Sequence, residues 1–362
     1  MTPHHPKIKY YVLSRVREDG EWTPVLRSPV VMNNLNPQWP VVQVGLQQLC
    51  NADMERPLKI DIYDWINNSK HTHMGECTTS ARAIMGKPTL PVTAIGRGHA
   101  HRKPGGTLEF VQVSLTKRYS FLDYIRGGWE MNMVIAIDYT GSNGNPAQFG
   151  TLHYIDQHAG TPNPYQQVIT SLTEVMKQYD HDQLFPVYGF GARGGQQRRV
   201  SHCFPLTGDP SNPYVHGVEG VLQAYRHALT QWALSGPTIF AQVITAAASQ
   251  CRRHVQMGKM AYTLLLIITD GVINDMQATK DAIVDACDLP LSIIIVGVGE
   301  ADFSAMEELD GDDVRLMNAR GLKATRDIVQ FVKFNDFKNA APGRLAKETL
   351  LELPTQMMSY FR

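Results

Sequence analysis

No apolar run in the 362 residues approaches the ~18 positions that a membrane-crossing helix needs, so no transmembrane segment is expected. The opening Met1-Thr-Pro-His-His-Pro6 is polar and lacks the apolar stretch of a secretory signal, so secretion is not expected. Cysteine is scarce. Cys50, Cys77, Cys203, Cys251 and Cys287 are odd in number, and none has the spacing of a zinc or redox motif. Free thiols in the cytosol are the simplest expectation. Net charge is also missing: 34 Lys plus Arg face 34 Asp plus Glu, which argues against a globally basic nucleic-acid binder. The balance hides a gradient, because residues 1–120 hold 15 basic against 9 acidic side chains and the remainder 19 against 25. A mildly basic front hints at an anionic partner such as a membrane surface. Apolar residues are plentiful at 43%, which supports a packed core, and the length suggests two or three domains.

Two sequence patterns follow one another. Residues 7–115 read as short strands with turn punctuation: Ile8–Val16, a turn at Glu18-Asp19-Gly20, then Val25–Met32, Val41–Leu46, Leu58–Tyr63 and Thr107–Leu115. That pattern predicts an antiparallel sandwich. From about Asn132, strands alternate with helices. Met133–Ile137, Phe185–Tyr188, Tyr262–Ile268 and Leu291–Val296 are apolar strands, and Tyr165–Tyr179, Val218–Leu234 and Ala278–Ala286 have helical spacing. Near-continuous apolar strands imply a sheet covered on both faces, hence a doubly wound, mostly parallel α/β domain. Leu345–Tyr360 reads as one closing helix. The expected division is 1–117 for the front domain, 118–130 for a linker and 131–362 for the α/β domain.

The α/β part carries the chemistry. Its first strand runs into Asp138-Tyr-Thr140-Gly-Ser142, a carboxylate and two hydroxyls spaced two apart beyond a strand end. A second strand ends in Thr269-Asp270-Gly271, and Gly236-Pro237-Thr238 opens a helix. Ligands of doubly wound sheets bind at the carboxyl ends of the strands. Carboxylate and hydroxyl oxygens are hard donors suited to Mg²⁺, Mn²⁺ or Ca²⁺. Asp-x-Thr-x-Ser alone is a common turn or cap pattern. Three such parts in order resemble the metal-ion-dependent adhesion site of von Willebrand factor A domains. That resemblance implies a divalent cation held by Asp138, Thr140, Ser142, Thr238 and Asp270, with an open position for a carboxylate of a partner protein.

The match is narrower still. Phe121-Leu-Asp-Tyr-Ile-Arg-Gly-Gly128, Ile137-Asp-Tyr-Thr-Gly-Ser-Asn-Gly-Asn-Pro146, Gly189-Phe-Gly-Ala192, Leu234-Ser-Gly-Pro-Thr-Ile-Phe-Ala241, Ile268-Thr-Asp-Gly-Val272 and Ile293-Ile-Ile-Val-Gly-Val-Gly299 resemble the copine family, in order along nearly the whole chain. Copines carry two C2 domains before an A-type domain. The resemblance implies a non-enzymatic adaptor that binds anionic phospholipid in response to Ca²⁺ and recruits partner proteins through the A domain, in the cytoplasm and at the plasma membrane. No small-molecule substrate is implied. It also implies that the first C2 domain and the opening strands of the second are missing here, as in an isoform or an incomplete gene model.

The front segment departs from the family at its last calcium loop. Asp61 and Asp64 match the acidic pattern, whereas Ile66, Asn68 and Thr72 stand where further acids are expected. Calcium takes roughly 6–8 oxygens, so this remnant is undercharged. The alternative expectation is therefore a calcium-insensitive soluble scaffold. The basic loop with Arg97, Arg102 and Lys103 is a candidate contact for anionic lipid. His71/His73 and His99/His101 have i,i+2 spacing but no third ligand evident in the sequence. Gly189-x-Gly-x-x-Gly194 lacks the following helix that a dinucleotide site requires. His153 and His158 lie near the metal motif in sequence only, which leaves a metal-dependent enzyme without a general base.

Overall fold

The computed structural model describes residues 9–67, 70–95, 104–156, 160–194, 199–311, 314–340 and 343–362. Two compact units divide the chain at Arg118/Tyr119. Among the described residues no helix is long and apolar enough to cross a membrane.

The first unit is one antiparallel sheet. Its strands are β1 (Lys9–Val16), β2 (Trp22–Arg27), β3 (Pro57–Asn67), β4 (Lys70–Ser80), β5 (Thr89–Ala94) and β6 (Pro104–Glu109), in the order β2-β1-β3-β4-β5-β6. Leu13, Leu58, Ile60 and Cys77 from the strands meet Leu49 and Cys50 of helix α1 (Leu46–Cys50) and Ala81 of helix α2 (Ala81–Met85) in a small core. Two strand expectations change. Val41–Leu46 is not a strand: Val41 is exposed, and Leu46, Leu49 and Cys50 follow helical i, i+3, i+4 spacing into α1. Thr107–Leu115 pairs only as far as Glu109, because Val111 and Leu115 beyond it face solvent.

The second unit begins earlier than its strands suggest. Residues 118–130, expected as a linker, carry helix α3 (Phe121–Arg126), closed by a reciprocal Ser120–Asp123 capping box. Phe121, Tyr124, Ile125 and Trp129 pack on the core of this unit. Its strands are β7 (Glu130–Asp138), β8 (Leu184–Phe190), β9 (Ala192–Gly194), β10 (Phe204–Pro205), β11 (Tyr214–His216), β12 (Trp232–Leu234), β13 (Ala261–Thr269), β14 (Leu291–Gly297) and β15 (Val329–Lys333). The main path is β10-β8-β7-β13-β14-β15; β8 to β15 along it are parallel, β10 and β11 pair antiparallel with β8, and β9 pairs with β12.

Alternate residues of each central strand feed two different cores. Met131, Met133, Ile135 and Ile137 of β7 face one, and Val134 and Ala136 the other. Leu264, Leu266 and Ile268 of β13 oppose Leu265 and Ile267 in the same way. This is why the strands read as unbroken apolar runs. Helices α4 (Pro164–Met176), α5 (Gly217–Gln231), α9 (Arg344–Thr349) and α10 (Leu353–Tyr360) cover the first core. Helices α6 (Ala241–Gln256), α7 (Met276–Ala286) and α8 (Ser304–Asp310) cover the second. The closing helix expected over Leu345–Tyr360 is two helices, with Pro354 in the first turn of α10, where its missing N–H is tolerated.

Arg326 fastens the end of α7, the start of β14 and α10 together. Its buried guanidinium donates to the carbonyls of Cys287 (2.6 Å), Leu289, Leu291 (3.1 Å) and Gln356 (3.0 Å), and lies 5.5 Å from the Tyr360 ring centre. Arg326→Met keeps the volume but strands these carbonyls in the interior. It is expected to destabilise the second unit by about 3 kcal/mol or more, measured by denaturant unfolding.

Candidate metal centre

The chain leaves β7 for β8 on one side, then returns to lay β13 on the other side of β7. At such a reversal the crevice opens at the carboxyl ends of the strands. Asp138 is the last residue of β7, and Thr269-Asp270 ends β13 and begins the next loop. The topology therefore brings together carboxylates 132 positions apart, 138 and 270, from residues that sequence spacing cannot connect.

Asp138 has no solvent exposure. Its Oδ1 accepts from the Thr140 N–H at 2.8 Å and its Oδ2 from the Thr269 hydroxyl at 2.6 Å. The Thr140 and Ser142 hydroxyls are 2.9 Å apart, and Ser142 stands near enough to Asp270 to favour its ionised form. Burial, and then the Asp270 charge, push the Asp138 carboxyl well above the usual carboxylate range. Burial raises Asp270 as well. Among the described residues neither carboxylate has a Lys or Arg ion-pair partner. Two buried like charges without a countercharge, ringed by hydroxyls, are the donor set of a hard divalent cation.

Thr238 joins this group through the loop after Asp270. Its N–H donates to Asn274 Oδ1 at 2.8 Å, and its carbonyl accepts from the Asn274 N–H at 2.9 Å. Asp275 then accepts from the N–H groups of Phe240 (3.1 Å) and Ala241 (3.0 Å), capping α6 from another loop. All five residues expected from the sequence thus lie on elements that converge, although Thr238 is tied in indirectly.

A buried scaffold under the motif escaped the sequence reading. His153, expected to be close in sequence only, is fully buried with Nε2 2.8 Å from the Asp138 carbonyl oxygen and Nδ1 2.8 Å from the Tyr225 hydroxyl. A carbonyl only accepts, so Nε2 carries the proton and Nδ1 accepts from Tyr225. Burial lowers the imidazole pKa to about 3, so it stays neutral. The Tyr225 hydroxyl in turn accepts from Asn163 at 3.1 Å. Tyr165 stacks on His153 at 4.3 Å and donates to Asn143 Oδ1 at 2.6 Å, and Asn143 reaches back to the Thr140 carbonyl at 3.3 Å. The available signal was aromatic and amide residues in an otherwise loop-like stretch, and it is weak.

Gly191 explains the glycine pair that mimicked a dinucleotide fingerprint. Its φ is +82°, and a Cβ there would stand 2.3 Å from Thr140 Cγ2. The glycine lets β8 close against the metal motif.

In the first unit, Asp61 and Asp64 do not share a group. Asp61 gathers with His73 and Glu76, while Asp64 stands three positions, roughly 10 Å, along β3. Thr72 is the cross-strand partner of Asp64. Arg97, Arg102, Lys103, Asn68, His99, His101 and His158 lie outside the described residues.

His153→Leu removes both hydrogen bonds and leaves the Asp138 carbonyl and Tyr225 hydroxyl buried without them. A loss of about 2–4 kcal/mol is expected by denaturant unfolding. Gly191→Ala is expected to lower Mn²⁺ affinity by pressing on Thr140, read by calorimetric titration.

The C2 domain model matches residues 3–92. Among solved structures, BON1-C2B is 22% identical over 31% of this chain and 83% of its own, with a TM-score of 0.25. Manganese-loaded Plasmodium vivax TRAP protein is 14% identical over 57% of this chain and 70% of its own, with a TM-score of 0.35. Proximal thread matrix protein 1 from the mussel byssus, with a zinc-occupied MIDAS motif, is 13% identical over 64% of this chain and 48% of its own, with a TM-score of 0.33. The copine model matches residues 151–362, more than half the chain and most of the unit built around the Asp138 motif, so this protein belongs to the copine family.

Proposed function

We propose that this chain is a peripheral adaptor. Its A-type unit holds a divalent cation, Mg²⁺, Mn²⁺ or Ca²⁺, between Asp138, Thr140, Ser142, Thr238 and Asp270 and presents it to a carboxylate of a partner protein, while its C2 unit attaches to anionic phospholipid at the cytoplasmic face of the plasma membrane. The observation that carries the reading is the buried Asp138–Asp270 pair, which among the described residues has no Lys or Arg ion-pair partner. The cation would supply the missing positive charge. The reading contains no catalytic step, and His153 keeps both ring nitrogens engaged in holding the motif.

A calcium-insensitive front unit is the second reading, and Asp61 favours it. Its Oδ2 lies 3.2 Å from Lys59 Nζ, and Asp64 faces a threonine instead of an acid across the ladder. Co-sedimentation with phosphatidylserine vesicles separates the two. Pelleting in Ca²⁺ that chelator abolishes supports the calcium-dependent form. Pelleting in both conditions supports calcium-insensitive attachment, and pelleting in neither removes the membrane role.

The metal-binding half is tested by Mn²⁺ titration of the whole chain, where Asp138→Ala is expected to lose binding while keeping its fold. Saturation of that variant like the unaltered chain would sink the reading. The raised carboxyl pKa values fix the sign of a second test. In the metal-free protein the folded pair binds protons more tightly than the unfolded chain, so stability is full at low pH and falls as pH rises through the raised pKa values. A cation binds the ionised pair. The Tm gain from Mn²⁺ is therefore expected to be larger near about pH 8 than near about pH 5, and Asp270→Asn is expected to raise the metal-free Tm and abolish that gain.

A further inference from the structure

The first unit holds a second set of metal-binding groups, unrelated to the loop at Asp64. Asp61 on β3 meets His73 and Glu76 on β4, with their ligand atoms all within 4.8 Å of one another. Strict alternation would send His73 and Glu76, three residues apart, to opposite faces of the sheet. The ladder avoids this with a bulge. Ile62 opposes Gly75 and the next residue, Tyr63, opposes His73, so Met74 is the extra residue of β4. Beyond the bulge Glu76 is the direct cross-strand partner of Asp61. Gly75 belongs to the same device: a Cβ there would lie 2.7 Å from both the Thr93 carbonyl and Val92 Cγ1, so only glycine lets β5 close against the bulge.

The imidazole is held in place. Tyr63 stacks on His73 with centroids 4.9 Å apart, and Tyr10 stacks on Tyr63 at 5.2 Å. Asp61 is also fixed, with a side chain 6% exposed and Oδ2 3.2 Å from Lys59 Nζ. Its Oδ1 lies 2.9 Å from His73 Nε2, within ion-pair range, yet the ring N–H direction misses it, and both atoms are buried without a hydrogen bond. Buried polar atoms in that condition call for an explanation. Two tetrahedral ligands that share one zinc ion at ~2.0–2.1 Å each stand about 3.3 Å apart. The 2.9 Å between Asp61 Oδ1 and His73 Nε2 is a few tenths shorter, so a small opening of the pair admits an ion between them.

We propose that Asp61, His73 and Glu76 bind a divalent transition metal of the zinc class. One imidazole and two carboxylates form a mixed N/O set that suits zinc. It is a poor set for calcium, which takes only oxygens and more of them. Lys59 occupies Oδ2, so Asp61 contributes one oxygen. Three protein ligands leave a coordination position for water or an external donor. The ion would tie β3 to β4 across the bulge. His71, two residues from His73, packs on Tyr10 and Trp65 and is outside the group.

The test is a Zn²⁺ titration of the full chain against a chromogenic chelator, in excess Mg²⁺ to fill the all-oxygen centre of the second unit. One equivalent is expected to bind tightly in the unaltered chain and in His71→Gln. Loss of outer-shell support alone weakens metal sites roughly 10–100-fold. His73→Gln and Glu76→Gln, each removing a ligand, are expected to weaken uptake at least that much while circular dichroism stays unchanged. Zn²⁺ should raise the Tm of the unaltered chain and of neither ligand variant. Uptake that survives in both ligand variants overturns the site. Equal loss in His71→Gln, or displacement of Zn²⁺ by equimolar Ca²⁺, overturns it as well.

Discussion

The second unit is organised around an unfavourable pairing. Asp138 and Asp270 are both buried, burial raises the cost of ionising each, and the Asp270 charge adds to that cost at Asp138. A fold would not place them so by default. They meet because β7 and β13 are adjacent parallel strands with Ile137 opposite Ile268, so their ends deliver the next residues to one spot. Continuous apolar burial on both faces fixes that register, since a slip of one residue would exchange the two cores. Hydrophobic packing thus holds together two charges that would separate in water.

Around the pair the structure uses rigid neutral groups. Two hydrogen-bonded chains, His153–Tyr225–Asn163 and Tyr165–Asn143, lie under the loop of Asp138 with the His153 and Tyr165 rings stacked between them, and none of these groups needs a charge to do so. A neutral imidazole leaves the local field to the carboxylates. The first unit solves a related problem by different means: a bulge re-phases β4 so that a histidine and a glutamate reach the same aspartate.

The fold class was legible because its signal is periodic. Apolar strands such as Tyr262–Ile268 imply two covered faces whatever surrounds them. The Asp138, Thr140 and Ser142 triplet was legible because it sits within five residues, and Thr269-Asp270 because it ends such a strand. His153 was not, since its partners Tyr225 and Asn163 come from other segments and no spacing rule connects them. Nor was the grouping of Asp61 with His73 and Glu76, because a bulge changes strand phase without leaving a mark in hydropathy. Val41–Leu46 misled for a further reason: six residues with apolar side chains at Val41, Val42, Val44 and Leu46 are too few to fix a period, and Leu49 and Cys50 beyond them decide for the helix.

The loop after Asp270 has one more property. Asn274 grips the backbone of Thr238 on both sides, and Asp275 holds the amides of Phe240 and Ala241 where α6 begins. Thr238 and the leading turn of α6 are therefore fastened to the loop that follows Asp270, and Gly271, with a φ of +133° and no room for a Cβ beside Ala301, makes the turn between the carboxylate and that loop. The sixteen residues of α6 thus start at the loop of the metal motif and run along the second core to Gln256, so the same helix serves the site at one end and the packing of the sheet along its length.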